Sequence, residues 1–229
     1  MSIAYSIIFP AWNEASNIDR AINQTIEAFT KFEKPFEILV IDDGSTDNTA
    51  TLVQSLQKQI PNLELIRHPK NQGKGAAVST GMKHAKGDIR LFMDCDLSVM
   101  PSTFVSMIPL LQSHDIVIGS RRISQGKISK PQPWYRNLLG ILFNLLIRTR
   151  TKLPYRDTQC GFKAFHANTL FLFENLVSKG WTFDVEILLK AHRAHLKIAE
   201  IPVDWHNGKT SRLKLKDTWK IWKELRAIR

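Results

Sequence analysis

Five short apolar runs, over residues 5–9, 36–41, 63–67, 89–93 and 115–118, alternate with helix-length segments over 16–29, 47–59, 75–84 and 102–112. The first helical segment opens on the capping-type Ser16-Asn17-Ile18-Asp19 and carries Ile18, Ile22, Ile26 and Phe29 on one face. The first run is closed by Pro10 and the second by Asp42-Asp43-Gly44-Ser45. Near-continuous apolar strands separated by amphipathic helices predict an α/β fold: a Rossmann-like, mostly parallel sheet with helices on both faces. In such a sheet, ligands collect at the carboxyl ends of the strands.

Beyond residue 119 the pattern changes. Residues 120–133 hold Gly126, Pro131 and Pro133 with four basic side chains and read as a loop. An apolar run over 138–147 follows, then a strand over 162–165, short helices near 169–177 and 183–194, a strand over 197–203 and a basic helix over 216–229. No internal repeat or linker interrupts the 229 residues, so one domain is expected over 1–229. No basic leader precedes the first strand, and the run over 138–147 is far shorter than the ~20 residues a spanning helix needs. Two cysteines, Cys95 and Cys160, cannot build a disulfide framework, and a cytoplasmic chain is expected.

The net charge of +11 is unevenly spread. Residues 121–152 hold eight basic and no acidic side chains, and residues 206–229 eight basic and two acidic, which leaves the remainder slightly acidic. Such local excess calls for an anionic partner: nucleic acid, a phosphorylated substrate or an acidic leaflet.

Three strand ends carry acids. Pro10-Ala11-Trp12-Asn13-Glu14 ends the first strand, Asp42-Asp43 the second and Asp94-Cys95-Asp96 the fourth. A lone D-x-D also serves as a solvated turn or helix cap. Its register with two other acidic strand ends points instead to a hard divalent cation, Mg²⁺ or Mn²⁺, shared with a diphosphate. Trp12 could offer a stacking face to a nucleobase or be a core residue, and Asp42 and Asp43 could bind ribose or base edges while also forming a helix-entry turn. Gly73-Lys74-Gly75 is not a phosphate loop, since neither G-x-x-x-x-G-K-[ST] nor G-x-G-x-x-G occurs. The seven His read as surface or satisfied core residues and Cys160 as packing.

Six motifs in order, Pro10-Ala11-Trp12-Asn13-Glu14, Ile41-Asp42-Asp43-Gly44-Ser45-Thr46-Asp47, Asn71-Gln72-Gly73-Lys74-Gly75, Asp94-Cys95-Asp96, Gly119-Ser120-Arg121 and Asp157-Thr158-Gln159-Cys160-Gly161-Phe162-Lys163, resemble those of family 2 glycosyltransferases. The resemblance runs from Ile7 to about Leu215 and is to the subgroup that transfers a hexose to dolichyl or another polyprenyl phosphate. It implies a GT-A fold with amphipathic C-terminal helices, a nucleotide-sugar half over 1–120 and an acceptor and membrane-facing half over 121–229. It also implies that Pro10, Trp12, Asn13, Glu14, Asp42, Asp43, Lys74, Asp94 and Cys95 hold the nucleotide and that Asp94 and Asp96 hold the metal. Asp96, Arg121 and Asp157 are implied as catalytic, and Arg121, Arg136 and Arg212 as grips for the acceptor phosphate.

Ser98 stands where mannose synthases of this subgroup often carry a Gln ligand, and with the motif over 157–163 this favours glucose from UDP-glucose over mannose from GDP-mannose. A lipid phosphate is already anionic, so no strong base is required, which agrees with the lack of a Ser-His-Asp or Cys-His arrangement. The basic segments then suit a peripheral protein on the cytoplasmic membrane face, although the helix over 216–229 could equally pack on the core. A non-catalytic basic module is the competing reading. It leaves Asp94 and Asp96 without a purpose, and nucleic acid is not expected as a partner because the acidic strand ends repel a phosphate backbone.

Overall fold

The computed structural model describes residues 2–123, 147, 149–180, 182–206 and 224. Among these residues are seven strands: β1 (Tyr5–Ala11), β2 (Phe36–Asp42), β3 (Leu63–Arg67), β4 (Ile89–Met93), β5 (Ile116–Ser120), β6 (Phe162–His166) and β7 (Ile198–Pro202). Between them lie α1 (Ile18–Thr30), α2 (Thr49–Gln57), α3 (Lys74–His84), α4 (Ile108–Leu111) and α5 (Phe183–Arg193), with 3-10 helices over Pro101–Ser106 and Ala167–Phe173. The strands form one sheet of order β3-β2-β1-β4-β6-β5-β7. Every pairing is parallel except those of β6, which runs antiparallel to both β4 and β5.

The sheet is buried on both faces, as its apolar strands require. Because strand side chains alternate, Ile7 and Phe9 of β1 face one core with Ile38, Val40, Leu91 and Met93, covered by Ile18, Ile22 and Phe29 of α1. Ile8 faces the other core with Leu39, Ile41, Phe92 and Phe165, covered by Val78 and Met82 of α3 and Val185 and Leu188 of α5. Full burial of each such side chain contributes roughly 1.5–3 kcal/mol.

Several local expectations need correction. Pro10 does not end the first strand, which continues to Ala11. Pairing with β4 stops at Ile8, so the strand beyond it has only β2 as a neighbour, a setting in which proline is tolerated. The helix expected over 102–112 is instead a 3-10 helix and one α-helical turn, because Pro109 supplies no N–H and ends any longer helix. The segment expected as a helix near 169–177 is the 3-10 helix Ala167–Phe173. The capping sequence before α1 makes no side-chain cap, and the Asn17 and Ile18 N–H groups donate to the Glu14 carbonyl instead. The apolar run over 138–147 and the helix over 216–229 lie outside the described residues, apart from Ile147, which is buried in the second core, and Glu224. No helix among the described residues is long and apolar enough to cross a membrane.

Candidate active site

Because β1, β2, β4 and β5 are parallel, their carboxyl ends reach the same edge, and antiparallel β6 starts there. That edge gathers residues 12–14, 42–45, 94–98, 121 and 157–161.

At the end of β4 the chain turns sharply. The Leu97 N–H donates to the Asp94 carbonyl (3.2 Å), and Leu97 takes φ 54°, a conformation an L residue holds only when its surroundings impose it. They do so from three sides. Asp96 Oδ1 accepts the Ser98 N–H (2.9 Å), Arg20 Nη2 of α1 donates to the Asp96 carbonyl (3.0 Å), and the His206 N–H donates to the Ser98 carbonyl (2.8 Å). Asp94 lies against the start of β6: its N–H donates to the Gly161 carbonyl (3.2 Å), and a Cβ at position 161 would run into its carboxylate.

A cation already faces this carboxylate. Lys74, in the first turn of α3, places Nζ 2.5 Å from Asp94 Oδ1. Burial works against the Lys74 charge, but Asp94, Asp184 and Asp96 outweigh it and raise the ammonium above its ordinary value. Behind it a second pair is fully enclosed. Lys163 Nζ is 2.5 Å from Asp184 Oδ1, donates to the Cys160 carbonyl (2.6 Å) and stands 5.3 Å from the Phe92 ring centroid. Burial pushes the Asp184 carboxyl up against the pull of Lys163 and Lys74. Positive and negative charges thus alternate from the sheet edge into the core, each balanced by a neighbour as buried ions require.

At the end of β5, Arg121 forms a two-pronged pair with Asp157: Nε donates to Oδ2 (2.6 Å), Nη2 to Oδ1 (2.9 Å), and the Arg121 backbone N–H also reaches Oδ2 (3.1 Å). Burial would raise the Asp157 carboxyl, but the Arg121 charge and hydrogen bonds hold it down at about 2. The same pairing keeps the Arg121 guanidinium above its ordinary value despite burial. The guanidinium lies 5.7 Å from the Trp205 ring centroid, and Glu200 Oε1 of β7 accepts the Asp157 N–H (3.0 Å). Asp157 is 1% exposed, so it stands behind Arg121, whose side chain keeps 27% exposure.

The first two strand ends are tied to each other. Asn13, at φ 55°, uses Oδ1 to accept the Thr46 N–H (2.8 Å), and its own N–H donates to Ser45 Oγ (2.9 Å). The Glu14 N–H donates to Thr49 Oγ1 (2.8 Å), and a Glu14 carboxylate oxygen accepts Asn17 Nδ2 (2.7 Å). Trp12 is 41% exposed, so it is no core residue. Asp42 and Asp43 are enclosed. Asp42 Oδ1 accepts the Ser45 N–H, and Arg67 Nε lies 3.0 Å from Oδ2. Asp43 accepts the Gln72 and Gly73 N–H groups (2.9 and 2.8 Å) and contacts His68 Nδ1 at 2.7 Å, which makes His68 a satisfied core histidine. Asp43 thereby anchors the turn into α3, where Gly73 sits at φ +102°. Cys95 turns its thiol to the Pro10 carbonyl (3.6 Å), and burial raises both Cys95 and Cys160, the latter to about 12, so neither is a nucleophile at neutral pH.

The edge therefore brings together Trp12, Asn13, Glu14, Lys74, Asp94, Asp96 and Arg121, with Asp42, Asp43, Cys95 and Asp157 beneath them. Arg136 and Arg212 lie outside the described residues. Sequence reasoning missed Arg20, Asp184, Glu200 and Trp205 as supports. Only Lys163, a cation inside the apolar strand Phe162–His166, carried a signal, since a lysine there needs a buried partner.

The family described as Glycosyl transferase family 2 matches over residues 6–173. A dolichyl-phosphate beta-glucosyltransferase of Trichomonas vaginalis is 33% identical over 92% of this chain, which spans 66% of that relative's length. A dolichyl-phosphate beta-glucosyltransferase of Saccharomyces cerevisiae is 32% identical over 99% of this chain and 74% of its own. Among solved structures, glucosyl-3-phosphoglycerate synthase from Mycobacterium tuberculosis, in complex with Mn²⁺, UDP and phosphoglyceric acid, superposes with a TM-score of 0.69 at 19% identity, over 99% of this chain and 77% of that one. The fold is of the GT-A type.

Proposed function

Since the chain belongs to glycosyl transferase family 2 and is a glycosyltransferase, we propose that it moves glucose from UDP-glucose to dolichyl or another polyprenyl phosphate at a membrane surface, with inversion. One observation carries the reading: a strand-end pair of carboxylates, Asp94 and Asp96, shares a sheet edge with Arg121, because the segment 157–161 holds Arg121 through Asp157 at one end and accepts the Asp94 N–H at Gly161 at the other. A glycosyl transfer between two phosphates needs those two halves, one for the departing diphosphate and one for the incoming phosphate. The names of the relatives support glucose and dolichyl phosphate, and they do not favour the mannosyl alternative.

The donor set suits a hard divalent ion. Asp94 and Asp96 offer carboxylate oxygens alone, and Asp94 already attracts a cation in Lys74. Among the described residues no group of three or more His, Cys, Asp or Glu converges on one point. Oxygens of the diphosphate and water would therefore complete the shell, as Mg²⁺ and Mn²⁺ commonly require. When bound, the metal neutralises charge on the leaving diphosphate.

The remaining work falls to the chain's own groups. Trp12 offers an exposed aromatic face to the base, with Asn13 and Glu14 beside it and Asp42 and Asp43 bracing the turns beneath. Lys74 supplies a positive charge where the diphosphate charge grows. Arg121 presents the acceptor phosphate, its planar fork held by Asp157 and its face against Trp205. A phosphate oxygen then forms the new bond to the anomeric carbon from the side opposite the diphosphate. The bond to UDP breaks, its electron pair leaves with UDP, and no proton moves. Arg136 and Arg212, in the basic segments, are the further grips proposed for that phosphate, and those segments bring the enzyme to the leaflet that holds it.

The test is transfer of labelled sugar from UDP-glucose and GDP-mannose to a polyprenyl phosphate, with Mg²⁺ or Mn²⁺ and with EDTA. Metal-dependent glucosyl transfer is expected. Transfer from GDP-mannose alone moves the reading to the mannosyl branch, and transfer unaffected by EDTA removes the metal.

A further inference from the structure

Glu224 is one of two acidic side chains in the basic segment 206–229, and its carboxylate faces the protein. Glu224 Oε2 accepts the hydroxyls of Thr182 (2.7 Å) and Ser178 (3.1 Å), which are both fully buried and 2.6 Å from each other. Two hydroxyl protons serve these three contacts, so the carboxylate is the terminal acceptor of the cluster. Between them lies Gly180, where a Cβ would run into the Glu224 carboxylate.

The opposite side of the same loop closes on the first turn of α3. The Lys179 carbonyl accepts the Gly75 N–H (2.9 Å), and a Cβ on Gly73 would strike that carbonyl. A Cβ on Gly75 would come within 2.9 Å of the Ser178 carbonyl. Lys74, the partner of Asp94, lies between these two glycines. Residues 178–180 and Thr182 are thus held between Glu224 and the backbone that carries Lys74.

We propose that Glu224 is a positioning residue for the donor half of the site. It fixes residues 178–180 and Thr182 against the start of α3, and so keeps Lys74 on Asp94. The inference rests on the reading of Asp94, Asp96 and Lys74 as the diphosphate site. Without the carboxylate, one buried hydroxyl proton has no acceptor, the loop relaxes, and the α3 turn follows it. Displacements of about 1 Å in a charged site cost as much as 100-fold in rate.

The test compares the full chain with Glu224→Ala and Glu224→Gln, the second of which keeps a carbonyl acceptor. Amide hydrogen exchange over residues 73–82 and 176–183, titration with UDP plus Mn²⁺, and separate KM values for donor and acceptor are measured. For Glu224→Ala we expect exchange in both segments faster by about tenfold or more, a donor KM raised about tenfold, and an acceptor KM within about twofold of wild type. Glu224→Gln should recover most of the difference, which general destabilisation would not permit. If Glu224→Ala does not fold, Thr182→Val, which removes one hydroxyl from the cluster, is expected to shift the same quantities in the same direction.

Unchanged exchange overturns the proposal. So does faster exchange with an unchanged donor KM, or a loss confined to the acceptor KM. A wild-type chain that takes no UDP with Mn²⁺ overturns the donor-site reading itself, and the exchange comparison tells that failure apart from failure of the Glu224 contact.

Discussion

Asp157→Asn isolates the charge that holds Arg121, because the amide has nearly the shape of the carboxylate and stands in for its protonated form. The carboxyl is held at about 2 in the folded chain against an ordinary value of 3.8. That difference converts to about 2 kcal/mol of stability at neutral pH. Since the folded value is the lower one, the contribution is fully present above pH 4 and fades as pH falls through 2. It should fall to roughly half of that by pH 3. Asparagine also turns an acceptor of four N–H groups, the Arg121 N, Nε and Nη2 and the Gln159 N, into a group that offers one good acceptor.

Urea unfolding of both proteins, followed by tryptophan fluorescence at pH 7 and at steps down to pH 3, should show the variant weaker by about 2–3 kcal/mol at pH 7. The gap should narrow on acidification because the wild type loses stability. A gap below about 0.5 kcal/mol at pH 7 would place the pair with ordinary surface ion pairs. A gap that does not narrow in acid would mean that the cost is packing rather than charge, and the account of Arg121 would fail.

Asp96→Ala should lower kcat by about 10²–10³-fold and abolish metal-dependent UDP binding while the unfolding midpoint stays within a degree or two, since Asp96 lies at the sheet edge and outside both cores; undiminished turnover would exclude it from the metal site. Gly161→Ala drives a methyl group into the Asp94 carboxylate, so UDP–Mn²⁺ affinity measured by calorimetry should fall about tenfold or more while Arg121→Ala leaves it unchanged. The protein should sediment with anionic liposomes, be released by salt, and lose on the order of 100-fold in partitioning when Lys220, Lys223 and Arg226 become Glu, at about 1 kcal/mol per cation. Equal binding to neutral vesicles would assign those side chains another role.

The alternation of apolar strands and amphipathic helices over residues 5–118 was sufficient to determine the layered α/β architecture. A parallel sheet must then bring the ends of β1, β2 and β4 to one edge, so the convergence of Trp12, Asp42 and Asp94 was legible too. Both follow from periodicities of about two and 3.6 residues, which are local properties of the chain. The direction of β6 was not legible, because a strand of five residues reads the same parallel or antiparallel. Nor was the exposure of Trp12, which the residue type alone leaves open. Least legible were the partners of the charged side chains. Arg121 meets Asp157 across 36 residues, Lys163 meets Asp184 across 21, and Glu224 meets Thr182 across 42. A periodic pattern says which face a residue occupies, but charges act through distance in space. That distance is decided by strand order, register and the close approaches at Gly161 and Gly180, which exist only once the sheet has assembled.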